Sequence, residues 1–266
     1  MSNQNQELLD QIESFGIVPV IVLSDPGQGA PLGRALAAGG LPVAEITFRT
    51  TAALAGLEEM VQANPEVIVG AGTVATTQQV DDAVAAGARF IVTPGFNPTV
   101  VDHCLEREIP IVPGISGTGE IEQALSRGVT TLKYFPAEAL GGVKLLKALS
   151  GPYKQVRFMP TGGISLSNIH SYLAEPNVVA CGGSWLVPKD LLASGDYDKI
   201  SAIVARSVAE VIGFSVANGE ITVPVRYPGR AAAYLERMGI TTGQSGGGEE
   251  EEIALGQRTI HIRGVS

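Results

Sequence analysis

The sequence predicts an α/β protein folded as a closed (β/α)8 TIM barrel with a small C-terminal α+β extension. Three observations carry this. Short apolar runs recur along the chain, each followed by a stretch with helical periodicity. The runs are apolar on both alternating faces, as parallel strands covered by helices must be. Nothing in their spacing suggests a reversal of strand order, which favours closure over the alternative, an open doubly wound sheet.

Taken in order, residues 7–15 read as an amphipathic helix and residues 18–23 as the first buried strand. Further strands are expected at 43–48, 67–71, 90–92, 109–112, 130–135, 156–159 and 178–181. Between and after them, helices are expected at 32–38, 52–63, 77–86, 98–107, 120–126, 142–149, 167–173 and 200–212. Thr76 and Ser165 stand where N-caps belong, and Gly87 and Gly128 where helices stop. The barrel with its N-terminal helix occupies residues 1–213, and the extension residues 214–266.

Composition narrows the function. With 266 residues, 45% of them hydrophobic, the chain can bury a large core. A net charge of −9 and the lack of a basic tract argue against nucleic acid or a membrane surface as partner. The polar N-terminus and the absence of a long apolar stretch point to the cytoplasm. Cys104 and Cys181 lack the spacing of a zinc site and read as buried thiols. No histidine falls at a strand end, so no metal or other cofactor is expected.

In a barrel of this kind, function gathers at the carboxyl ends of the strands. Lys133 lies inside the sixth apolar run, where an unpartnered ammonium is costly. Taken alone, such a lysine is more often a strand-end residue that pairs or reaches water. A deprotonated one is an amine nucleophile able to form a Schiff base with a carbonyl substrate, with Phe135 on the same strand face. Glu45 and Arg49 end the second strand; singly each reads as a surface charge, but beside an amine nucleophile they suit a proton shuttle and a carboxylate fork. Thr73 is a further carboxylate donor or an ordinary cap, and Pro94 follows the fourth strand. After the seventh and eighth strands come Thr161-Gly162-Gly163 and Gly182-Gly183-Ser184. One such glycine pair fits a tight turn; two in succession suit a phosphate met by backbone amides and helix N-termini.

Apart from Gly182, Gly183 and Ser184, these residues stand in motifs that resemble the 2-keto-3-deoxy-6-phosphogluconate (KDPG) aldolase family, together with its 4-hydroxy-2-oxoglutarate members. The motifs are Val43-Ala44-Glu45-Ile46-Thr47-Phe48-Arg49-Thr50, Val69-Gly70-Ala71-Gly72-Thr73-Val74, Val92-Thr93-Pro94-Gly95-Phe96, Leu132-Lys133-Tyr134-Phe135-Pro136-Ala137-Glu138 and Met159-Pro160-Thr161-Gly162-Gly163-Ile164. The resemblance implies a class I aldolase, a carbon–carbon lyase acting on 2-keto acid and phosphosugar substrates, and a homotrimer. Lys133 would form the imine and Glu45 would act as general acid and base. Arg49 and Thr73 would hold the pyruvyl carboxylate. Gly162, Gly163, Gly183 and Ser184 would hold the phosphate, and Thr161 would read substrate hydroxyls. Alternatives are the galactonate-directed branch of the same family and a non-catalytic phosphosugar-binding protein.

From about Phe214 the chain leaves that pattern. Residues 221–225 read as a strand, 228–238 as a helix, 243–248 as a turn, and 253–255 and 259–262 as strands after an acidic run. This βαββ unit is similar to half of a glyoxalase-like module, and as a small sheet it is expected to pack on the barrel or on a neighbouring subunit.

Overall fold

The computed structural model describes residues 3–212, together with strands at 222–225, 242–243, 250–255 and 258–264. Its strands are β1 (Ile17–Ile21), β2 (Val43–Thr47), β3 (Ile68–Gly72), β4 (Phe90–Val92), β5 (Ile111–Val112), β6 (Gly114–Ile115), β7 (Thr131–Tyr134), β8 (Arg157–Phe158) and β9 (Cys181–Gly183). The strand predicted at 109–112 is observed as β5, and beyond Pro113 lies a further short strand, β6, that was not anticipated, so Lys133 lies on β7. The helices are α1 (Asn3–Phe15), α2 (Gly29–Ala38), α3 (Ala53–Ala63), α4 (Thr77–Ala85), α5 (Pro98–Glu106), α6 (Thr118–Leu125), α7 (Gly142–Ser150), α8 (Ile169–Leu173), α9 (Lys189–Ser194) and α10 (Tyr197–Ile212). Helix α9 was not anticipated: it is a short turn entered from Pro188.

All pairs among β1–β9 are parallel, and the strands form a curled sheet. One stretch has the order β5-β4-β3-β2-β1-β9 and another the order β6-β7-β8. The order rises in sequence without a reversal, and the last of these strands, β9, pairs with the first. Isolated bridges, Phe158 to Val178 and Thr161 to Gly182, run between the β8 and β9 regions. Every residue of β2 and β3 is buried, which explains why these runs carry apolar side chains on both faces. Leu57, Met60, Val80 and Ile121 cover the sheet from the helices, and the core is one continuous cluster.

Local signals account for much of this. Thr76 caps α4 and exchanges hydrogen bonds with Gln79 in a capping box, while Asn97 caps α5 ahead of Pro98. Ser165 departs from expectation: α8 begins only at Ile169, and the Ser165 amide donates to the Asn168 side chain 2.9 Å away. The eighth predicted strand is also shifted. Its sheet pairing takes in Gly182 and Gly183, because close neighbours fill the space where side chains would stand.

In the C-terminal region, β10 (Thr222–Val225), β11 (Thr242–Gly243), β12 (Glu250–Leu255) and β13 (Arg258–Gly264) form a sheet of order β10-β13-β12-β11. The strand expected at 259–262 is longer than predicted, and residues 250–252 of the acidic run belong to β12. The helix expected at 228–238 and residues 244–248 of the expected turn lie outside the described residues.

Candidate active site

Lys133 and Glu45 meet in the interior. Nζ of Lys133 donates to Oε1 of Glu45 across 2.9 Å, with the two side chains 3% and 0% exposed. Register brings them there. Glu45 lies opposite Val20 of β1 and Gly70 of β3, and Lys133 lies opposite Gly114 of β6, so each chain position is fixed by paired strands. Burial of a lone ammonium or carboxylate costs several kcal/mol, roughly, and the pair offsets that cost for both. Oε2 of Glu45 is buried with no hydrogen-bond partner among the described residues. That oxygen can take a proton from a group entering the pocket.

Three neighbours shape this pair. A β-carbon on Gly72 would stand 2.2 Å from Oε1 of Glu45, so only glycine leaves room for the carboxylate. The Phe135 ring centroid is 5.4 Å from Nζ of Lys133. That distance gives the ammonium an aromatic face. Phe135 lies just past the end of β7, so the shared strand face expected from sequence is replaced by a turn that still brings the ring to the amine. Thr47, two residues beyond Glu45, donates to the Ile21 carbonyl at 2.7 Å and ties β2 to β1 at this level.

Arg49 and Thr73 come together at the rim. Nε of Arg49 donates to Oγ1 of Thr73 at 3.2 Å. Thr73 has φ +59, a left-handed conformation that a β-branched residue rarely adopts. Thr73 directly follows Gly72, the residue against which the Glu45 carboxylate packs. Pro94 is exposed on a turn, and Oγ1 of Thr93 organises that turn by donating to the Gly95 carbonyl at 2.7 Å and accepting from the Gly114 amide at 3.2 Å.

The glycine loops also adjoin one another. Thr161 is buried, and its hydroxyl fills the space where a Gly182 side chain would stand. Gly162 and Gly163 have φ +97 and +81, a backbone that favours glycine. Gly162 packs on Phe135 and Pro136, and Gly163 on the methylenes of Glu138. The Ala137 and Glu138 amides donate to the carbonyls of Thr161 and Gly162, at 2.8 and 3.1 Å. Ser184 is exposed at the end of β9.

Glu138 and Tyr172 carry a contact that sequence reasoning missed. The Tyr172 hydroxyl donates to Oε1 of Glu138, and burial, followed by this hydrogen bond, raises the Tyr172 hydroxyl above the ordinary tyrosine range. Gly72 was legible only as part of a glycine-rich strand end; its partner Glu45 lies on another strand. Lys144 and Lys147 are exposed, and Lys147 pairs with Glu175 at 3.0 Å.

A parallel α/β sheet with a buried amine and carboxylate at its centre and glycine loops beside them defines an enzyme equipped for carbonyl chemistry. Known proteins narrow that class. Residues 9–203 match the family model for KDPG and KHG aldolase. A 2-dehydro-3-deoxy-phosphogluconate aldolase of Haemophilus influenzae is 48% identical over 212 residues, 80% of this chain and 100% of that protein. The KHG/KDPG aldolase of Escherichia coli is 45% identical over 192 residues, 72% of this chain and 90% of its own length. Among solved structures, a KDPG aldolase from Legionella pneumophila with pyruvate captured as a covalent carbinolamine superposes with a TM-score of 0.72 at 39% identity, covering 75% of this chain and 97% of the other. The chain belongs to the KDPG and KHG aldolase family. It is a lyase.

Proposed function

We infer that this enzyme is a Schiff-base aldolase that cleaves 2-keto-3-deoxy-6-phosphogluconate to pyruvate and glyceraldehyde 3-phosphate, and that it also accepts 4-hydroxy-2-oxoglutarate. The observation that carries the reading is the buried contact between Lys133 and Glu45. In this mechanism Lys133 gives up a proton and its amine adds to the C2 carbonyl, forming a carbinolamine. Loss of water leaves a protonated imine, which draws electrons from the C3–C4 bond. Glu45 takes the proton of the C4 hydroxyl as that bond breaks, releasing the aldehyde. Protonation of the enamine at C3, followed by addition of water to the imine, frees pyruvate and restores the amine.

Arg49 and Thr73 are assigned to the substrate carboxylate, since a guanidinium already held by a neighbouring hydroxyl is oriented for it. Pro94 and Phe135 wall the pocket. Thr161 reads substrate hydroxyls, while Gly162, Gly163, Gly183 and Ser184 take the phosphate, where backbone can approach an anion closely.

The same reading makes residues 1–213 a closed (β/α)8 catalytic barrel, supported by the unreversed strand order and the β9–β1 pair. Residues 214–266 are then an added unit. On the family resemblance, the enzyme is assigned as a homotrimer acting in the cytoplasm, in the Entner–Doudoroff route of carbohydrate metabolism. None of the helices of the described residues is long and apolar enough to cross a membrane.

The decisive assay is stoichiometric: purified protein given 2-keto-3-deoxy-6-phosphogluconate should yield pyruvate and glyceraldehyde 3-phosphate in equal amounts. Absence of either product would refute the reading.

A further inference from the structure

Gly183 ends β9 opposite Pro19 of β1, and Ser184 follows it into the rim. A β-carbon on Gly183 would lie 1.8 Å from Cζ3 of Trp185, and 2.3 and 2.4 Å from Cε3 and Cη2 of the same ring. The six-membered part of the indole therefore lies directly against the Gly183 α-carbon. At its other end, Nε1 of Trp185 donates to Oγ of Ser207 at 3.3 Å. Ser207 is fully buried on α10, and its hydroxyl in turn donates to the Ile203 carbonyl at 2.8 Å. An indole whose N–H is held in this way has a defined plane and edge. The strand end at Gly183 is consequently gripped between β1 on one side and a ring anchored to α10 on the other.

We propose that Trp185 is a positioning residue for phosphate recognition: anchored by Ser207, its ring sets the place of the Gly183–Ser184 peptide that meets the substrate phosphate. This rests on the phosphate assignment above and goes beyond it by naming what holds the loop. Glycine at 183 then serves twice, leaving backbone open to the anion on one side and admitting the indole on the other. The hydrogen bond at 3.3 Å is long, so its worth is that of one neutral bond, and its loss should move affinity by about three- to ten-fold.

Ser207→Ala removes the anchor while keeping the ring, and Trp185→Phe removes the indole N–H together with the fused ring that lies against Gly183. Each variant should raise KM for 2-keto-3-deoxy-6-phosphogluconate by about three- to ten-fold with kcat within about two-fold. Neither should change kcat/KM for unphosphorylated 4-hydroxy-2-oxoglutarate. The double variant should be no worse than the poorer single one, because both remove the same bond. A melting curve verifies folding. Equal effects on both substrates, or no effect in folded variants, would overturn the role of Trp185.

Trp185 is the chain's single tryptophan, so the wild-type protein offers a second measurement. Glyceraldehyde 3-phosphate and inorganic phosphate should each shift its emission saturably, whereas pyruvate should not; silence towards both phosphates would count against the proposal. Ser184→Asp separates the two levels of argument. If it selectively weakens the phosphorylated substrate while the Ser207 and Trp185 variants do nothing, the phosphate site stands and the bracing role falls. If it affects both substrates equally, the phosphate assignment fails and the proposal with it.

Discussion

The β-carbon that Gly72 lacks would stand 2.2 Å from Oε1 of Glu45 and 2.6 Å from its Cγ, so the carboxylate occupies the side-chain space of its neighbour on β3. Gly72→Ala is therefore expected to push Glu45 away from Lys133. A catalytic group displaced by about 1 Å loses on the order of 10²-fold in rate. The expected result is a kcat lower by about that factor, with the fold retained by circular dichroism. An alanine variant with full kcat would show that the close packing is not needed for the chemistry.

The buried pair makes a covalent prediction. Borohydride added with pyruvate should fix a stable adduct at Lys133, found by peptide mass, and Lys133→Ala should show neither adduct nor turnover. Labelling at another lysine would remove Lys133 from the mechanism.

It also makes an energetic one. Lys133→Met leaves the Glu45 carboxylate buried without its cation, and breaking such a pair costs about 3–5 kcal/mol. Adding Glu45→Gln removes the stranded charge, so the double variant should recover most of that loss in urea titrations. Equal stability of the single variant and the wild type would mean that the carboxylate is not confined as the geometry indicates.

Ser184 is exposed at the end of β9, beside the glycine loop at 162–163 through the Thr161–Gly182 bridge. A carboxylate placed there by Ser184→Asp would repel a phosphate a few ångströms away. KM for the phosphorylated substrate should rise about ten-fold or more, with little change for 4-hydroxy-2-oxoglutarate. A uniform change in both would place the phosphate elsewhere.

How much of this was readable beforehand depends on whether a feature is local. Strands buried on both faces must be apolar throughout, so β2 and β3 announce themselves, and a charge such as Lys133 inside such a run stands out, whereas Glu45, which singly reads as a surface charge at a strand end, is fully buried in the middle of β2. The capping box at Thr76 and Gln79 is equally local. The contacts that refine the site are not. Trp185 and Ser207 are 22 residues apart, and Glu138 and Tyr172 are 34 apart. No periodicity links such pairs, because tertiary packing alone brings them together. The left-handed backbone of Thr73 has no sequence mark either, since threonine disfavours it. Ser165 misled for the opposite reason: a good capping residue stood four positions before a helix whose first turn is irregular.

The family model matches residues 9–203, and the H. influenzae protein aligns over its whole length with 212 residues of this chain. A chain ending at Gly213 should then retain kcat and KM for 2-keto-3-deoxy-6-phosphogluconate within about two-fold. If truncation abolished turnover in a protein that still folds, the assignment of catalysis to residues 1–213 alone would fail.

Cys104 supplies a test by pH. Burial between α5 and the sheet pushes its thiol up to about 12 from an ordinary 9.0. The sign follows from linkage. The folded state favours the neutral thiol, whereas the unfolded chain ionises it from about pH 9. The stabilisation from Cys104 is fully present below that pH and is lost as pH rises towards 12. Tyr172 and Tyr134, also raised by burial, lose stability in the same direction, so the wild-type slope alone is not diagnostic. Cys104→Ala isolates the thiol: its stability should start lower, because a buried side chain has been shortened, and should fall less steeply through the alkaline range. In the native wild type, a thiol-specific reagent at pH 8 should leave Cys104 unmodified until the protein is unfolded. Identical alkaline slopes for the variant and the wild type would show that the Cys104 thiol does not contribute to the loss of stability.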